Sequence, residues 1–134
     1  MPSVDRLNQT LIVSTLVTAN GNLFPNYNAD GINGLINAQG SAGFMYICIQ
    51  KTGTGTVTMT PQGSYDGGVT FYSVGFTPVD NQATLTRTVT ALSITANAFN
   101  HVYQINDAYP FYQFALSSTS GSISVGAYLY YSPL

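Results

Sequence analysis

The sequence predicts one all-β domain: a single antiparallel β-sandwich, jelly-roll-like, with about eight or nine strands and no substantial helix. Three observations carry this. No stretch of ten or more residues keeps apolar side chains at i, i+3, i+4 and i+7. Thr, Val, Ile, Tyr and Phe abound while Glu is absent and Lys occurs once, a composition suited to a pleated surface. Turn residues punctuate the chain about every eight to twelve positions, the spacing of sandwich strands. The length, 134 residues, fits one domain, and a chain near that size buries roughly two-thirds of its unfolded surface.

The elements follow in order. Residues 1–9 contain Pro2, Asp5, Arg6, Asn8 and Gln9 and lack alternation, so they read as an extended N-terminal arm preceding a sandwich domain at 10–134. Thr10–Ala19 is the first strand, followed by a Gly/Asn/Pro-rich loop, Asn20–Gly34. Leu35–Ala38 reads as a short strand and Gly40–Gly43 as a turn. Gly43–Lys51 is apolar at both parities and reads as a central strand with Cys48 packed as a small hydrophobe. Thr56–Gln62 alternates, with Val57 and Met59 on one face. Asp66-Gly67, within Ser64–Gly68, marks a hairpin leading to a strand at Val69–Phe76. Ala83–Thr95 changes apolar phase near Ala91, which predicts a bulge or loop there. Asn97–Ile105, Phe111–Ser118 and Ser122–Tyr131 complete the set; Ile123, Val125, Ala127, Leu129 and Tyr131 share one face of the last.

Composition narrows function. Only 6% of residues are charged, against about 25% in ordinary domains. Three cations, Arg6, Lys51 and Arg87, make no basic patch, which argues against nucleic-acid binding. The longest apolar run, Phe44–Ile49, falls far short of the roughly 20 residues that span a bilayer. Ser14 and Thr15 interrupt the apolar start, so a signal peptide is not expected.

The chemistry of the chain is sparse. His101, the one histidine, sits with Phe99 and Tyr103 on one strand face and reads as a packed or interface residue. There is no Gly-x-Ser-x-Gly elbow. One Cys and one His do not furnish a zinc site. Asn28-Ala-Asp30-Gly-Ile-Asn33 offers oxygens at short spacing, but with one acid it reads as an Asx-rich turn instead of a calcium loop. Asp66, Asp80 and Asp107 fall in separate turns, so no acid pair is visible. Asn8-Gln9-Thr10 matches a glycosylation sequon of the kind an Asn/Thr-rich chain contains by chance. The expectation is a non-enzyme without cofactor or metal.

What remains is aromatic. Ten Tyr, seven Phe and no Trp suit surfaces with one apolar and one wet side. The candidate contact residues are Tyr65, Tyr72, Tyr109, Tyr128 and Tyr130, together with Asp5 and Arg6 of the arm.

Three segments carry a resemblance: Val57-Thr-Met-Thr-Pro-Gln-Gly-Ser-Tyr-Asp-Gly-Gly-Val-Thr-Phe-Tyr72, Tyr109-Pro-Phe-Tyr-Gln-Phe114 and Ile123-Ser-Val-Gly-Ala-Tyr-Leu-Tyr130. The order of strand, Gly-Ser-x-Asp-Gly hairpin, aromatic strand and closing Val-x-Ala-Tyr-Leu-Tyr strand resembles small virion proteins of tailed bacteriophages. That resemblance implies a capsid decoration (cement) protein on the capsid exterior, with the major capsid protein as partner and a homotrimer as its working form. The alternatives are a carbohydrate- or receptor-binding module of a tail or fibre, with Tyr rings as stacking platforms, and a tail or neck structural component.

Overall fold

Strict alternation is clearest in Val57–Ser64, where Val57, Met59, Pro61 and Gly63 are buried and the residues between them half-buried. The same period of two sets the remaining strands. The computed structural model describes residues 9–16, 21–24, 27–39, 41–80, 87–118 and 123–133. In chain order the strands are β1 (Gln9–Leu16), β2 (Gly21–Asn22), β3 (Asn28–Ala29), β4 (Ile32–Asn33), β5 (Ile36–Asn37), β6 (Ser41–Gly53), β7 (Val57–Ser64), β8 (Tyr72–Ser73), β9 (Phe76–Pro78), β10 (Leu92–Ile94), β11 (Ala98–Ile105), β12 (Phe111–Ser118) and β13 (Ile123–Pro133). No helix occurs among the described residues.

One sheet runs β1-β13-β6-β11-β9, the other β10-β7-β12-β2, with β5 also on β12 and β8 on β7; β3 and β4 form a separate small hairpin. Every ladder between these strands is antiparallel; the isolated bridge from Asn28 to Leu35 is parallel. The order β1-β13-β6-β11 in one layer and β2-β12-β7-β10 in the other is that of a jelly roll, in which first and last strands are neighbours and the chain winds between layers. Side chains from both sheets meet in one core: Met45, Ile47, Ile49, Val125 and Leu129 from the first, Val57, Met59, Phe114 and Leu116 from the second, with Phe24 and Val74 from connections. Each such side chain contributes about 1.5–3 kcal/mol of burial.

Proline placement agrees with the ladders. Pro61 sits where β7 has no strand partner on one flank, between the β10 pairing at Val57–Met59 and the β8 pairing at Gln62–Gly63. Its carbonyl accepts from Val74 N–H on that flank, so its missing N–H costs no bond to β12.

Several expectations are corrected. Ser41, the first residue of β6, pairs with Pro133 of β13, so the turn expected at Gly40–Gly43 is already strand from Ser41 onward. β6 is central, flanked by β13 and β11, but its faces differ: Met45, Ile47 and Ile49 are buried while Tyr46 and Cys48 are half-exposed. Cys48 is therefore not a core residue; apolar residues at both parities imitated a strand covered twice. The strand expected at Val69–Phe76 shrinks to β8 and β9, because the Asp66 side chain of the preceding turn takes the backbone N–H groups of Val69 and Thr70. Val69 is 80% exposed. Instead of one long strand at Ala83–Thr95 there is a bridge from Thr88 to Phe76 and then β10; residues 81–86 lie outside the described residues. The phase change near Ala91 was the sign of that break. The expected loop Asn20–Gly34 contains β2, β3 and β4. Of the arm, Gln9 already pairs with Tyr131 in β1, and residues 1–8 lie outside the described residues.

Candidate functional site

The polar side chains in the described loops mostly serve the fold. Asp66 does not close a two-residue hairpin: its Oδ1 accepts from the Ser64 hydroxyl at 2.7 Å, Thr70 N–H at 2.8 Å and Val69 N–H at 3.2 Å. The Ser64 hydroxyl in turn accepts from Gly68 N–H at 2.9 Å. The Thr70 N–H, then Ser64, hold the Asp66 carboxyl down at about 2. Gly67 and Gly68 take φ of 72° and 91°, which the loop needs at both positions.

Asp107 accepts Gly75 N–H at 2.7 Å and pairs with Arg87 at 3.0 and 3.1 Å. Asp80 Oδ2 lies 3.0 Å from His101 Nδ1 and 3.1 Å from Val102 N, fastening the end of β9 to β11. His101 also meets Phe99 edge-on at 4.6 Å, in accord with its reading as a packed residue. Burial, reinforced by the Asp80 charge, raises the Cys48 thiol, and its Sγ donates to Asn100 Oδ1 at 3.4 Å; this favours the unreactive thiol over the thiolate.

Lys51 is the residue sequence reasoning missed. It is 1% exposed, and its Nζ donates to Gly53 O at 3.0 Å and Ala96 O at 2.6 Å. Its place at an odd position of β6, in phase with Ile47 and Ile49, was the available signal. Among the described residues no three His, Cys, Asp or Glu side chains converge on one point.

The tyrosines do converge. Tyr65 and Tyr109 rings are 4.7 Å apart, Tyr72 and Tyr109 6.3 Å with only 15° between planes, and Tyr65 and Tyr72 6.4 Å. Tyr65 is 66% and Tyr72 51% exposed, whereas Tyr109 packs against the core. The local cause is Gly63: a Cβ there would lie 2.3 Å from the Tyr109 ring, so only glycine lets that ring lie on β7. Tyr72 and Tyr112 are the register partners of Gly63 on its two sides. Beneath, the Tyr112 hydroxyl accepts Tyr109 N–H at 2.8 Å and donates to the Asp107 carbonyl. Lost hydration raises the Tyr109 phenol, and Tyr65, Asp107 and Tyr72 push the same way; burial also raises Tyr112. Ring contacts continue inward from Tyr109 through Tyr112 and Phe114 to Phe24, which touches Tyr27 at 6.4 Å.

A second loop adjoins this cluster. Asp30, at φ 52°, heads the β3–β4 turn, and its Oδ2 lies where a side chain on Gly67 would start. Beside it is a hollow of about 300 Å³ lined by Tyr27, Asn28, Asp30 and Asn37. Asn28 and Asn33, two members of the oxygen-rich run, bond to each other at 2.9 Å. Of the seven candidate contacts, then, the structure gathers Tyr65, Tyr72 and Tyr109. Tyr128 and Tyr130 stand at neighbouring register positions of β13 opposite Cys48 and Tyr46, with their side chains outside the described part. Asp5 and Arg6 lie outside the described residues.

No protein-family profile matches the chain, and no curated protein matches it. Among solved structures, the SPBc2 prophage-derived protein YomS aligns over 92% of this chain and 96% of that one, with a TM-score of 0.47 and 8% identity. A likeness at that level carries no argument about function.

Proposed function

We propose that the chain is a non-catalytic structural protein of a tailed-phage virion: a capsid decoration protein that binds the major capsid protein on the outside of the head as a homotrimer. The observation that carries this reading is the use made of the charges. Of the six charged side chains among the described residues, Lys51, Asp66, Asp80, Arg87 and Asp107 hold backbone or one another in place, and Asp30 alone makes no such bond, so the jelly roll presents an exterior poor in free charge. Such an exterior suits coverage by neighbours more than free diffusion, since charge is what keeps monomers apart. Closed oligomers remove it from water. The resemblance of the β7–β8, β12 and β13 segments to phage virion proteins supports the same reading.

The test is light scattering of the purified chain, followed by co-sedimentation with phage heads assembled from major capsid protein. The expected result is a mass three times the 14.3 kDa of one chain and saturable binding to heads. A monodisperse monomer at micromolar concentration that leaves heads undecorated would defeat the reading.

A further inference from the structure

We propose that the surface where the β3–β4 turn meets the β7–β8 loop binds a neutral saccharide, with Tyr65 and Tyr72 as stacking rings and Asp30 as acceptor for sugar hydroxyls. The inference goes beyond the decoration reading and concerns the isolated chain.

Three features meet there. The first is a preformed aromatic platform. Tyr65 and Tyr72 are more than half exposed, yet both are braced by Tyr109, which itself rests on Gly63. Rings already fixed lose little freedom when a ligand arrives. The face of a phenol ring carries partial negative charge, which matches the C–H face of a pyranose.

The second is a carboxylate left available. Asp66 is occupied by three donors on one oxygen, whereas Asp30 carries no hydrogen bond or ion pair to a described residue. Its Oδ2 lies over Gly67, two residues from Tyr65, so platform and acceptor belong to one surface. A carboxylate can accept from two adjacent hydroxyls at once.

The third is the adjoining hollow of about 300 Å³, with Tyr27 as an aromatic wall and Asn28 and Asn37 as amide groups. That is the small end of ligand pockets, the scale of a sugar unit and not of a protein element.

Other occupants fit worse. Asp30 and Asp66 would repel phosphate, and the described cations, Lys51 and Arg87, are engaged with carbonyls and with Asp107. A peptide needs a free strand edge or a groove, and these groups sit on loop tips.

The experiment uses the full chain with maltoheptaose, cellohexaose, chitohexaose, yeast mannan and a galactan as neutral probes and heparin as an anionic one. Binding is read by gel retardation and by intrinsic emission, which comes from tyrosine because the chain has no Trp. At least one neutral probe should bind at millimolar concentration or below. Tyr65→Ala and Tyr72→Ala should each weaken it about tenfold or more, and Asp30→Asn should weaken it too. Val69→Ala, on the same loop and more exposed than either tyrosine, should change nothing. All four sites are at the surface, and circular dichroism confirms folding. The proposal is overturned if no neutral probe binds, if heparin is preferred, or if binding ignores both tyrosine variants. It is also overturned if those variants instead change the oligomeric mass, which would make the patch a self-association face. Sugar binding by a chain that leaves heads bare would sink the decoration reading alone.

Discussion

Asp66 shows how one side chain sets a loop and gives it a pH limit. Its carboxyl sits at about 2 because Thr70 N–H and the Ser64 hydroxyl favour the charged form; an unfolded aspartate titrates at about 3.9. A depressed native value means the contribution is complete above the unfolded value and disappears as pH falls through the native one. The β7–β8 loop should therefore loosen between about pH 4 and pH 2, earlier than the sheets. Hydrogen exchange of the Val69 and Thr70 amides across that range checks it, and Asp66→Ala should show fast exchange of both at neutral pH. Lys51 acts over a longer span. Its two carbonyl acceptors lie at the end of β6 and on the segment before β11, which are also joined by Gly53 N–H to the Asn97 carbonyl. Lys51→Met keeps the stem but leaves both acceptors without their donor, and should lower unfolding free energy by about 1–3 kcal/mol in urea titration.

At the scale of elements, the bond between β7 and the aromatic cluster hangs on Gly63. In Gly63→Ala the new methyl meets the body of the Tyr109 ring and not the end of a flexible chain. The ring must leave β7, taking its support from Tyr65 and Tyr72 and disturbing the Tyr112 bonds to residues 107 and 109. The expected outcome is about 1–3 kcal/mol of lost stability together with an altered near-ultraviolet tyrosine signal. The long strands were legible in sequence for a simple reason: β7, β12 and β13 each bury one parity of residues, and alternation is a local pattern. Phe111–Ser118 was placed at both ends. The failures share another cause. Val69–Phe76 has strand composition, but the Asp66 carboxylate claims its first two amides. Cys48 lies in an apolar run, yet among the described strands no second sheet covers its side of β6. The tyrosine cluster was half-legible: its members stood out by type, but their meeting depends on the β12–β7 pairing that brings Tyr109 beside β7, and Asp30 arrives from a turn read only as punctuation.

For the whole molecule, the scarcity of charge predicts how association responds to salt. Electrostatic contacts between exposed groups weaken as the Debye length shrinks from about 10 Å at 0.1 M to about 3 Å at 1 M. This chain carries eight charged side chains, three basic and five acidic, and the described ones largely serve internal bonds. A homotrimer or a head-bound layer built from tyrosine, threonine and amide contacts should therefore survive such a rise in sodium chloride. Sulfate, which is excluded from protein surface, should strengthen it. Sedimentation velocity of the chain alone and pelleting with heads, each at about 0.1 M and 1 M salt, measure the two associations separately. Retention of both at high salt is the expected outcome. Loss of head binding while the oligomer persists would place the partner contact on charge, and of the candidate contacts only Asp5 and Arg6 in the arm are charged. Loss of the oligomer itself would contradict an uncharged interface altogether.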